Sequence, residues 1–88
     1  MPPVARTPDD ISDQVRGFLF ESFLTDRGQE HLDFDDELIA VLDSLQLLRT
    51  VIYVEATFGI AVGNSELTME NLGTLRRLGM FVSGKLNS

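Results

Sequence analysis

Residues 40–48 read AVLDSLQLL, so that Asp43 and Ser44 stand side by side at the head of a strongly apolar run. A carboxylate next to a hydroxyl has two chemical meanings at such a position. If the run is a helix, its first turn leaves several backbone N–H groups unpaired and carries about half a positive charge. Asp43 or Ser44 then serves as an ordinary cap. The same end is also an anion site, and a phosphodiester on the Ser44 hydroxyl would lie where the helix dipole favours it. Ser44 has little support as a catalytic nucleophile: no GxSxG elbow surrounds it and no histidine stands near it in the sequence to act as base.

Most other reagents of enzymatic chemistry are missing. The chain has no cysteine, which excludes disulfides, thiol catalysis and a thiolate zinc site. Its one histidine, His31, rules out a multi-histidine metal site and lies in a polar stretch with no assigned role. The acidic run DFDDE, residues 33–37, invites comparison with a calcium loop. With Asp33 at position one, Leu38 falls where that loop needs glycine, and Ser44 where it needs a bidentate glutamate. The template fails at both places, leaving a solvated acidic face or a dock for a basic partner.

The elements that position Asp43 and Ser44 follow from caps and periodicity. TPDDISDQVRGFLFESFL, residues 7–24, predicts a first helix: Thr7 is suited to the N-cap, Pro8 to the first turn, and Asp9 and Asp10 to the positive end of the dipole. Ile11, Val15, Phe18 and Ser22 define its inner face, with Leu19 and Phe23 beside it. Residues 25–41 have no sustained period and read as a long loop with one short turn around 35–39. DSLQLLRTVIYVEATFG, residues 43–59, predicts the strongest helix, stopped by Gly59. Leu45, Leu48, Ile52 and Phe58 lie near one stripe of it, flanked by Leu47, Val51 and Val54. One face cannot hide them all, so some apolar surface near Ser44 is expected to be exposed. Residues 65–73 predict one short helix. Residues 74–86 predict a last one, capped by Thr74, carrying Arg76 and Arg77 at its start and weakened by Gly79 and Gly84.

At 88 residues the chain supports one core, here residues 7–86 behind a tail at 1–6. The expected fold is all-α: a small four-helix bundle of three main helices and one short one, with a long first loop. A net charge of −7 disfavours nucleic acid and anionic membranes as partners. With no apolar leader or spanning segment, a cytoplasmic protein without membrane insertion is expected.

LDSLQLLRTVIYVEATFGIAV, residues 42–62, resembles the heart of the acyl carrier protein family. That family has Asp-Ser-Leu opening its second helix, then apolar residues and an acid, then Phe closing the helix and Ile or Val entering the next loop. The matching residues are Asp43, Ser44 and Leu45, the pair Leu48 and Ile52, then Glu55, Phe58 and Val62. The resemblance extends over residues 8–84 through the order of the elements, and implies an acyl-carrier-like bundle. It also implies that Ser44 carries 4′-phosphopantetheine, attached covalently from coenzyme A by a phosphopantetheinyl transferase. The thiol of that arm would hold an acyl or aminoacyl cargo as a thioester, supplying the thiol chemistry that a cysteine-free chain lacks.

On the same resemblance the protein is no enzyme itself and acts as a monomer. Asp43 supports the transferase and its magnesium. Leu45, Leu48, Arg49, Ile52 and Glu55 meet the partners: a loading ligase or acyltransferase, and downstream condensing or transfer enzymes. Two departures stand out. Val41 occupies the place two residues before the Asp where fatty-acid carriers have glycine, a form more similar to stand-alone D-alanyl and aminoacyl carriers and to carriers of specialised metabolism. Arg49 stands where fatty-acid carriers tend to have an acid. Both point to a dedicated pathway rather than housekeeping fatty-acid synthesis. The competing expectation is an acidic helical interaction module without a prosthetic group, in which Asp43-Ser44 is only a cap.

Overall fold

Thr7 opens the fold as its sequence position predicts. Its Oγ1 accepts a hydrogen bond from the Asp10 backbone N–H at 3.2 Å, with Pro8 in the first turn of the helix behind it. The computed structural model describes residues 7–87, so the tail expected at 1–6 lies outside the described residues. Helix α1 spans Pro8–Leu19, and the four-residue step Ile11, Val15, Leu19 is fully buried. The next step is five residues long. A π-helical turn over Phe20–Leu24 takes in one extra residue, so that Leu24 rather than Phe23 continues the buried row. This corrects the expected inner face: Ser22 is exposed, while Phe23 sits edge-on to Phe18 with ring centroids 5.8 Å apart. A 3-10 turn, Thr25–Arg27, ends at Gly28, whose φ of 76° stops the helix.

The acidic segment that follows is tied down rather than loose. Leu32 is buried in the core. The Phe34 ring is met by two guanidinium groups, Arg16 at 4.7 Å and Arg76 at 5.7 Å from its centroid. Backbone bonds from Arg76 N–H to the Phe34 carbonyl, and from Leu38 N–H to the Gly73 carbonyl, join this loop to the far end of the chain. The short turn expected around 35–39 is helix α2, Leu38–Val41, shifted because residues 35–37 serve the loop while Leu38 enters the core.

Helix α3, Ser44–Phe58, ends at Gly59 with φ 68°, as predicted. The predicted short helix is split into a 3-10 turn, Asn64–Glu66, and helix α4, Met69–Leu72. Helix α5, Leu75–Leu86, is capped by the Thr74 hydroxyl accepting from Arg77 N–H at 3.1 Å. The result is an all-α bundle of three long and two short α-helices, with no strand among the described residues.

The α1–α5 pair is the most extensive helix contact, and Gly79 makes it close. Gly79 is buried against the first turns of α1, where Ser12 Oγ donates to the Leu75 carbonyl at 2.7 Å. A Cβ added at Gly79 would fall within 3.0 Å of Ser12 Oγ and of the Pro8 carbonyl oxygen. The sequence marks Gly79 and Gly84 as equal weaknesses, but only Gly84 faces open space. Alanine gains about 1 kcal/mol of helix propensity at either position, whereas overpacking at Gly79 costs about 1–3 kcal/mol. Gly79→Ala should lower the thermal midpoint by several degrees and Gly84→Ala should raise it, as read by circular dichroism melts. Equal shifts for the two variants would contradict the close-approach account.

Candidate functional site

The chain enters α3 through Leu42, which is buried with an extended backbone and fixes the turn before the helix. Asp43 is the N-cap: its Oδ1 accepts from Gln46 N–H at 2.8 Å, and Gln46 Oε1 accepts from Asp43 N–H at 3.1 Å. This reciprocal pair is a complete capping box with Gln46 in the third helical position. Capping therefore belongs to Asp43 alone. Ser44 is the first helical residue, exposed, and its hydroxyl has no hydrogen bond among the described residues.

Ser44 also lies on the rim of an apolar cavity of about 360 Å³. Its floor and walls come from α2, α3, α4 and α5, with Leu38, Leu47, Val54, Leu72 and Leu78 on the inside and Ile39, Leu48, Leu67 and Met69 towards the mouth. No charged residue lines it. Of its three hydroxyl groups, Thr50 donates to the Gln46 carbonyl and Thr68 caps α4 by accepting from Asn71 N–H. Ser44 alone among them has no such structural task.

The outer wall of the cavity rests on a network of charged groups. Glu55 accepts from Val62 N–H at 2.9 Å, and Glu66 accepts from Gly63 N–H at 2.9 Å and from Lys85 Nζ at 2.7 Å. Lys85 also donates to the Ala61 carbonyl at 2.6 Å, and Asn71 Nδ2 to the Glu66 carbonyl at 3.0 Å. These bonds fix the backbone that delivers Leu67 and Met69 to the mouth. The Lys85 ammonium, and then the Gly63 N–H, hold the Glu66 carboxyl below its ordinary range. At the acidic loop, Arg76 does the same to Asp35 through a two-pronged contact at 2.7 and 3.2 Å.

The remaining residues singled out by sequence separate into two groups. Leu45, Leu48 and Ile52 are 59%, 51% and 54% exposed, so the expected apolar surface near Ser44 is present. Arg49 is exposed among them, with no ion pair or hydrogen bond among the described residues. Phe58 departs from the expected stripe and joins Thr50 and Val54 on the buried face of α3. Glu55 is half-buried, its carboxylate occupied by the Val62 N–H. His31 is exposed. Sequence reasoning missed Lys85, Leu67 and Met69, since nothing in a linear pattern joins residue 85 to residue 66.

No family model, curated protein or solved structure matches the chain.

Both depressed carboxyl groups make stability depend on pH in the same sense. Their contribution is complete above the ordinary values, 3.8 for Asp35 and 4.5 for Glu66, and is lost as pH falls through the lower values they hold in the fold. A Lys85→Met, Arg76→Met double variant should therefore melt below the parent at pH 7, with the gap closing as pH drops through and below 4.5. A gap that stays constant in acid melts would remove this assignment.

Proposed function

We propose that the chain is a discrete acyl carrier, with Ser44 as the attachment point of a covalent 4′-phosphopantetheine arm. One observation carries the proposal: Ser44 offers an exposed, unbonded hydroxyl at the first position of α3, on the lip of an uncharged apolar cavity. A serine kept only for capping would spend its oxygen on the backbone, and Asp43 already does that work. The phosphodiester would form on Ser44 Oγ as the pyrophosphate link of coenzyme A breaks, with the adenine nucleotide half leaving and the hydroxyl proton passing to the transferase. The new anion would lie beside the free N–H groups of the first turn of α3. The arm, once attached, supplies a thiol that holds cargo as a thioester.

The chain's own residues then orient and shelter. Asp43 and Gln46 fix the first turn, and so the direction in which Ser44 Oγ points. The cavity beside it suits an apolar acyl group. An aminoacyl ammonium would find no counter-charge there and would lose its hydration without repayment. Apolar acyl cargo is thus favoured inside the cavity, while an aminoacyl group would stay outside it.

The exposed Leu45, Leu48 and Ile52 also favour a second reading, an interaction module that carries no arm. Ser44→Ala separates the two. Because Ser44 is not the cap, that change should leave the unfolding free energy within about 0.5 kcal/mol of the parent, as for an ordinary surface substitution. Intact mass should show one phosphopantetheinyl group added to the parent and none to Ser44→Ala, after incubation with coenzyme A, magnesium and a broad-specificity phosphopantetheinyl transferase. A folded, initially unmodified parent that gains nothing would favour the interaction module.

A further inference from the structure

The charges on the exposed side of α3 are unusual for a molecule carrying −7 overall. Between Ser44 and Phe58 the formal charges are Arg49 and Glu55 only, and Glu55 is held by the loop. The apolar stripe beside Ser44 therefore bears a single outward charge, and it is positive. Four other described cations are engaged, Arg16 with Asp13, Arg76 with Asp35, Lys85 with Glu66 and Arg27 with the Val41 carbonyl, while Arg77 is exposed on α5, away from this stripe in the sequence. Arg49 has Leu45, Leu48 and Ile52 around it, each more than half exposed, and no acid of its own helix within a turn.

That combination restricts what can cover the face. In water Arg49 is fully hydrated and costs nothing. A partner that buries the three apolar side chains must also strip water from the guanidinium, and an unpaired buried charge is strongly unfavourable. A docking surface with only apolar groups or with lysine at its centre would meet that penalty. One with a carboxylate would replace the lost water by a two-pronged, charge-assisted hydrogen bond. Arginine set among apolar anchors is also the composition typical of interface centres.

We infer that this face docks a partner protein through an Asp or Glu set in an apolar patch, with Arg49 receiving the carboxylate between Leu45, Leu48 and Ile52. The inference rests on the carrier reading only in making that partner the enzyme that loads or empties the arm. It runs against the net charge, which at long range attracts basic surfaces; the acidic group must be local to the contact.

The test uses the unmodified chain, labelled with ¹⁵N, and two short helical peptides that differ at one residue. Each presents leucines around a central glutamate or, in its twin, a central lysine. At physiological salt, where long-range attraction is screened, the glutamate peptide should shift the amide signals of residues 45–52 and bind about ten-fold more tightly than its twin. Arg49→Glu, an exposed change that should leave the rest of the spectrum in place, should reverse the preference. Equal or tighter binding of the lysine peptide, no shifts with either, or shifts confined to the acidic residues 33–37 would overturn the inference. So would concentration-dependent self-association of the free chain, which would make a second copy the occupant. Because Ser44 is unmodified here, a positive titration beside a failed mass experiment would keep the docking face and dismiss the arm.

Discussion

The two hydrogen bonds exchanged by Asp43 and Gln46 fix where α3 begins, and much of the molecule follows from that starting point. A helix of 15 residues begun at Ser44 turns Thr50, Val54 and Phe58 inward and leaves Leu45, Leu48 and Ile52 outward. Which side turns inward follows from the helical period of about 3.6 residues and from packing against the core, while the cap decides which residue stands first in the helix. The same pair satisfies the end of the helix without Ser44. The cap thus sets the start of the helix, the position of the serine and the freedom of its hydroxyl together.

Around this helix the chain builds a frame and a cavity wall from different materials. The frame is the α1–α5 pair, brought close by Gly79 and joined by the bond from Ser12 to the Leu75 carbonyl. The acidic loop is fastened to it by Arg16 and Arg76, which both lie against Phe34. The outer wall of the cavity has less apolar burial and depends on Glu55, Glu66 and Lys85 instead. Exposed ion pairs contribute little each; these are coupled through shared backbone groups, which lets a few charges hold a loop that has little core of its own.

The helices were legible in the sequence wherever their signals are local. Thr7, Asp43, Gly59 and Thr74 act within one turn of their own position, and each bounds a helix as its chemistry predicts. The all-α bundle follows from those boundaries. The π-turn was not legible, because it depends on Leu24 outcompeting Phe23 for a place in a core assembled from distant segments. The value of Gly79 was hidden for the same reason: what it touches is Pro8 and Ser12, some seventy residues away in the chain. Of the site, Asp43, Ser44 and the exposed stripe could be read directly. The cavity could not, since its walls come from four helices that meet only in the folded molecule.

A capped helix start, an unengaged serine and an uncharged cavity form one device on the carrier account: attachment point, anion site and shelter within a few residues of each other. The most direct measurement is a peptide map of the protein purified from the cells that make it. Trypsin should release residues 28–49, which contain Ser44 as their only hydroxyl residue. The account predicts that peptide carrying a phosphopantetheinyl group on Ser44, wholly or in part. Finding it only in the unmodified form, in protein from actively growing cells, would contradict the carrier function.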